Sequence, residues 1–246
     1  MSAITLNFCR QHLIQDSGGH NEWQTEQIQR VIQADKLALI ICDMWDNHWC
    51  RGAVEREAAL IPWMNVVLTA ARNQGAHIIH APSETMEFYA DHPARQRMLT
   101  IPPITPPPDQ EHITPPLPVD ASDHGSDTGE TTTYKAWSRQ HPAVEIDMAR
   151  DLISDKGAEI YSYLQHQGIE QVLIMGVHTN MCVLNRSFAI KQMVKWGVNI
   201  ALVRDLTDTL YNPAMPPYVS HDEGTRLVVE YIEKFWCPSV LSTDLL

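Results

Sequence analysis

Four short apolar runs constrain most strongly what this chain can fold into: LALIIC at 37–42, AHIIHA at 76–81, QVLIMGV at 171–177 and NIALVRD at 199–205. Each is nearly continuous in aliphatic residues. A strand with one wet face alternates apolar and polar side chains, whereas a strand covered on both faces does not. The four runs therefore read as buried parallel strands. Helical patterns separate them. Residues 53–74 carry apolar side chains at Leu60, Trp63, Met64, Val67, Leu68 and Ala71 and stop at Gly75; residues 157–166 stop before Gly168, and residues 182–196 stop at Gly197. Glycine one step past a helical run is a common C-terminal signal, because it adopts the left-handed conformation without a Cβ clash. PAVEI at 142–146 is a weaker strand candidate, a last helix is expected over 223–235, and a final strand over 238–242. Repeated strand–helix alternation predicts a three-layer α/β/α domain covering 1–246, doubly wound on a mostly parallel sheet of about six strands.

The middle of the chain breaks this rhythm. Residues 100–130 read TIPPITPPPDQEHITPPLPVDASDHGSDTGE, dense in proline and short polar residues. The composition is that of a linker or disordered segment. Long loops inside compact domains are also commonly lids or subunit contacts. Both readings stand at this stage.

Composition narrows the function classes. A net charge of −12 with no basic cluster argues against nucleic acid. No apolar run approaches the roughly eighteen residues of a membrane helix. The start MSAITLNFCRQHLIQ lacks a basic stretch followed by an apolar core, so no signal peptide is expected. The five cysteines are odd in number and form no C-x-x-C pair. That usage suits a reducing compartment, the cytoplasm. Neither G-x-G-x-x-G nor a P-loop follows any strand, which leaves no support for nucleotide binding, and no cofactor is expected.

In open parallel sheets the ligand crevice lies beyond the carboxyl ends of the strands. Asp43, His80 and the turn GVHTNMC at 176–182 stand there. A carboxylate beside a thiol can take its proton as a general base. A lone cysteine is also a good small core residue, and a lone Asp43 also suits a helix cap. The start of a helix would lower the Cys182 thiol pKa and favour the nucleophile reading.

Asp43 at the end of the first run and GVHTNMCV at 176–183 together resemble the isochorismatase-like cysteine hydrolases, a family that includes nicotinamidases, N-carbamoyl amidohydrolases and isochorismatase. The similarity covers about residues 35–240 outside the proline-rich excursion, and RDLTDTLYN at 204–212 sits where the family has a strand ending in an acidic turn. The resemblance implies a nucleophile at Cys182, a general base at Asp43 and a lysine between them. It also implies a cis peptide at Val177–His178 and an oxyanion hole from the amides of His178 and Cys182. The implied activity is hydrolysis of a C–N bond of a small molecule through a thioester, by a homo-oligomer. The alternatives are a non-catalytic binder on the same fold, or vinyl-ether hydrolysis of the isochorismatase kind, against which the cysteine at 182 argues.

The family's lysine lies some three dozen residues before the cysteine, where this chain reads AVEIDMARDLIS, with Arg150 and no lysine. Lys135, in TTTYKAW, is the favoured substitute if TTTYK forms a strand that carries it inward; Arg150 is the second choice. Beyond Asp43, the segment DMWDNHWC offers Trp45, His48 and Trp49. The two tryptophans either wall a pocket for a flat or apolar substrate or belong to the core. Trp45, His48 and Asn180 are the expected substrate contacts. Asp46, His48 and His80 do not reproduce the family's metal-ligand spacing, so no metal is expected. DASDHGSD at 120–127 lacks the order of a calcium loop and reads as a solvated turn.

Overall fold

The computed structural model describes residues 2–246. In chain order the elements are β1 (Ala3–Gln15), β2 (Asn21–Gln33), β3 (Leu37–Cys42), α1 (Arg51–Gln74), β4 (His77–Ala81), α2 (Pro93–Leu99), β5 (Leu152–Ile153), α3 (Gly157–Gln167), β6 (Gln171–Val177), α4 (Cys182–Asn185), α5 (Ile190–Lys195), β7 (Ile200–Asp208), α6 (His221–Phe235) and β8 (Ser239–Val240). They form one eight-stranded sheet in the order β2-β1-β8-β7-β6-β3-β4-β5. The six strands from β8 to β5 run parallel, and β1 and β2 add an antiparallel hairpin at the β8 edge.

The continuous apolar runs have the meaning expected of them. In β3 every residue is buried, yet successive side chains enter different cores. Ala38, Ile40 and Cys42 join the cluster under α3, α5 and α6. Leu37, Leu39 and Ile41 join the cluster under α1 with Met64, Val67 and Leu68. The period-two geometry of a strand thus fills two layers from one apolar segment.

Strand order reverses beside β3, since β4 and β5 lie to one side and β6, β7 and β8 to the other. The carboxyl ends of β3 and β6 therefore flank the switch point, where an open α/β sheet leaves its crevice. Gly176 makes the local approach of these two strands feasible. Its φ is +108°, and a Cβ there would lie 2.1 Å from the Cys42 carbonyl oxygen.

Several expectations need correction. Residues 142–146 form turns rather than a strand, and the edge strand is the two-residue β5. TTTYK has no regular secondary structure. The hairpin of β1 and β2 went unforeseen, because β2 is exposed and carries no buried-face pattern. The helix expected over 182–196 breaks at Arg186, whose φ of −61° and ψ of 157° are extended. The proline-rich excursion forms no strand or helix but packs on the body. Val119 and Ser126 are buried, Asp120 N–H donates to the Pro216 carbonyl, and the Tyr231 hydroxyl donates to that of Pro115.

Candidate active site

Asp43 follows β3 directly, with a left-handed φ of 47° and a side chain fully shielded from solvent. Its Oδ1 accepts the Ser83 backbone N–H at 2.7 Å, and its Oδ2 accepts Nε of Arg186 at 2.8 Å. Burial pushes the carboxyl above its ordinary range, while the Arg186 charge and the Ser83 amide pull it back. Cys182 opens α4 beside Asp43, close enough for the two side chains to influence one another's charge. The Val177–His178 peptide is cis.

The helix start does not lower the thiol pKa as expected. α4 is only four residues long, and burial pushes Cys182 well up, reinforced by the Asp43 charge and opposed by Arg186. A part-buried thiol next to a carboxylate meets two costs on ionising, one from desolvation and one from like-charge repulsion. Cys182 therefore rests as a thiol.

The cation facing Asp43 is Arg186. Lys135 instead donates its ammonium to the Glu84 carbonyl oxygen at 2.6 Å from an exposed loop. Arg150 pairs with Asp147, with half its side chain in solvent. Neither makes an ion pair with Asp43. The sequence carried a signal for Arg186 that was missed: it lies four residues after Cys182, so one helical turn returns it to the same side. The Arg186 N–H donates to the Cys182 carbonyl, after which the chain turns extended. Glu84 Oε1 lies 3.3 Å from the guanidinium, whose central carbon lies 5.7 Å from the centre of the Trp45 ring. Burial works against this cation, but Asp43 and Cys182 outweigh it and raise its pKa.

Cys182, Arg186, Glu84 and Trp45 line a cleft of about 510 Å³, bounded also by Trp49, His124, Tyr134, Lys135, Trp137 and Leu210. Trp45 and Trp137 stack at 4.0 Å with an 11° interplanar angle, and His48 lies parallel to Trp137 at 5.9 Å. His48 Nδ1 accepts the Cys50 N–H, which leaves the proton on Nε2. Burial lowers the His48 pKa to about 4 and that of His178 to about 3, the neighbouring His48 adding to the latter. His178 Nε2 and Trp137 Nε1 are buried without a protein partner among the described residues.

Other candidates fall outside the cleft. The Asn180 amide is used on both sides by Leu210, donating to its carbonyl at 3.0 Å and accepting its N–H at 3.1 Å, so it fixes the loop after β7. His80 is enclosed between Gln140 and Asp151. Asp46 receives the Ser138 and Arg139 backbone amides. Asp208, at the acidic end of β7, pairs with Arg56 and His221. Among the described residues, no group of three or more His, Cys, Asp or Glu is placed to hold a metal ion.

The doubly wound sheet holds a cysteine, an aspartate and a cation at its switch point. The chain belongs to the isochorismatase family, whose domain model matches residues 37–214. A cysteine hydrolase from Pseudomonas syringae pv. phaseolicola superposes with a TM-score of 0.55 at 16% identity, over 87% of this chain and 92% of that one. An isochorismatase from Pseudomonas putida gives 0.51 at 13% identity over 87% and 92%. At such identities the likeness is one of fold. No curated protein sequence matches the chain.

Proposed function

We propose that the protein hydrolyses an amide or carbamoyl-type C–N bond of a small planar molecule, with Cys182 as nucleophile, Asp43 as base and Arg186 in the place of the family's lysine. The observation that carries this reading is the 2.8 Å ion pair of Asp43 with Arg186, a guanidinium that lines the same cleft as Cys182. Asp43 takes the thiol proton as sulfur attacks the substrate carbonyl, and the C=O electrons move onto oxygen. The amides of His178 and Cys182 receive that oxyanion. The C–N bond then breaks as Asp43 returns the proton to nitrogen, leaving a thioester. Water that loses a proton to Asp43 attacks the thioester, and the acid leaves as the thiol is restored.

Arg186 gives this cycle its charge balance. Without it, burial would hold the Asp43 carboxyl further above its ordinary range and weaken it as a base in its ionised form. The parallel rings of Trp45, Trp137 and His48 suit a flat substrate, and the unpartnered His178 and Trp137 nitrogens suit one with polar atoms at its rim. Lys135 remains at the cleft mouth, where it would meet substrate rather than Asp43. Five free cysteines support a reducing cytoplasmic setting, and a homo-oligomer is part of the same reading.

The test is a panel of small amides, ureas and carbamoyl compounds scored for release of ammonia or amine. Turnover by the native protein and none by Cys182→Ala is the expected result. Equal turnover by both would remove the thiol from the mechanism. Turnover of vinyl ethers alone, unaffected by Cys182→Ala, would favour the isochorismatase-type reaction.

A further inference from the structure

β2 is an uncommon edge strand. It runs thirteen residues, lies at the end of the sheet, and is exposed at every position except the half-buried Ile32. It pairs with β1 in unbroken register from Ala3↔Gln33 to Gln15↔Asn21. Natural edge strands are usually short, bulged, or interrupted by proline or lysine, since an open row of N–H and C=O groups invites another strand. β2 has neither proline, lysine nor bulge, and it exposes Ile28 and Val31, the latter at 63%. The hairpin is also anchored. Trp23 meets Phe235 of α6 edge-on at 5.5 Å, and the Lys234 ammonium sits 5.3 Å from the Trp23 ring centre. A held strand with an open outer edge is preorganised for pairing.

We propose that β2 pairs antiparallel with β2 of a second copy about a two-fold axis at Ile28, joining two sheets into one. Charge supports this occupant and this register. β2 carries three charged side chains, Glu22, Glu26 and Arg30, all on the face that bears Ile28. With the axis at Ile28, Glu26 stands opposite the partner's Arg30, and Arg30 opposite the partner's Glu26. Ile28 meets the partner's Ile28, and Val31 meets the partner's Thr25. An axis at Glu26 would oppose two glutamates directly, and one at Gln24 would place Glu22 against the partner's Glu26. Opposite charges directly across a pair stabilise it and like charges destabilise it. Both partners are already oriented, since Glu26 is held by His12 at 2.7 Å and the Arg30 guanidinium lies 5.5 Å from the Phe8 ring centre. The contact is isologous, so it closes as a dimer rather than growing into a fibre. It would pair residues 23–33 of each strand over roughly 35 Å.

The hairpin precedes the residues matched by the family model, so this interface goes beyond the proposed chemistry and would survive its failure. Sedimentation velocity on the full chain tests the assembly. Glu26→Arg and Arg30→Glu should each weaken the dimer at least tenfold, and an equimolar mixture of the two should restore it as a heterodimer. Register is tested separately in a Cys9→Ser background. Ile28→Cys should cross-link to dimer under mild oxidation. Gln24→Cys, separated from its symmetry mate by eight residues of strand, should not. A monomeric native chain, a dimer indifferent to both charge variants, or equal cross-linking at 24 and 28 would each overturn the proposal.

Discussion

The Nε of Arg186 lies 2.8 Å from Oδ2 of Asp43, and the two residues are 143 positions apart. This contact sets the charge of the site. Burial alone raises the Asp43 pKa, and Arg186 is the largest opposing influence. Replacing Arg186 with Met should therefore raise that pKa further and move the acid limb of kcat/KM to higher pH. Arg186→Lys should shift it less, because the charge is kept while the planar reach is lost. An acid limb that stays in place in Arg186→Met would separate Arg186 from the base.

Cys182→Ala should fold as the native chain does, since the change leaves only a small void beside the cleft. Turnover should fall by roughly three orders of magnitude or more, as expected for loss of a covalent nucleophile. Thermal melts and steady-state rates on the same preparation check both halves.

Much of this site was legible in the sequence, and the misses have physical causes. Asp43 and Cys182 follow apolar runs whose ends had to converge, because parallel strands bring their carboxyl ends to one side of the sheet. Arg186 was overlooked because the cation was sought upstream of Cys182, at the family's lysine position, although its i, i+4 spacing places it one helical turn after the thiol; α4 supplies that turn before the chain goes extended at Arg186. Lys135 was favoured on the assumption that TTTYK forms a strand. The segment instead crosses the cleft as a loop, and its ammonium is taken up by a backbone carbonyl. Hairpin strand β2 could not be read because polar periodicity on an exposed edge carries no burial signal. Asn180 looked available, but its amide was committed to Leu210.

Glu57, in α1, is buried at 2% exposure, and its Oε1 has no partner among the described residues. Burial pushes its pKa well up, with Asp43 and Asp46 adding to the effect. A carboxyl with a folded pKa above its unfolded value supports the fold fully below the unfolded pKa of about 4.3 and loses that contribution as pH rises toward the folded value. Glu57→Gln should remove this slope and raise stability near pH 8 by about 1–2 kcal/mol. Melting temperatures from pH 5 to pH 9 will show it; parallel curves for both proteins would contradict it.

Trp137 stacks on Trp45 and lies parallel to His48, so Trp137→Ala should remove one wall of the cleft without touching the thiol. KM for a planar substrate should rise about tenfold, in line with about 0.5–1.5 kcal/mol for an aromatic pair plus lost burial. kcat should change much less. Because His48 and His178 titrate at about 4 and about 3, neither should add a limb to the rate profile between pH 6 and pH 8.

The pH dependence of Cys182 alkylation by iodoacetamide, resolved from the other four cysteines by mass spectrometry and compared with Asp43→Asn, tests the central claim most directly. Cys182 rests as a part-buried thiol with a raised pKa, so reaction near neutral pH requires Asp43 to take the proton as sulfur attacks. The native rate should rise and level off as Asp43 ionises, and at neutral pH should be at least a hundredfold lower in Asp43→Asn, which should retain only an alkaline limb. Matching alkaline-only profiles for the two proteins would contradict a Cys182–Asp43 catalytic pair.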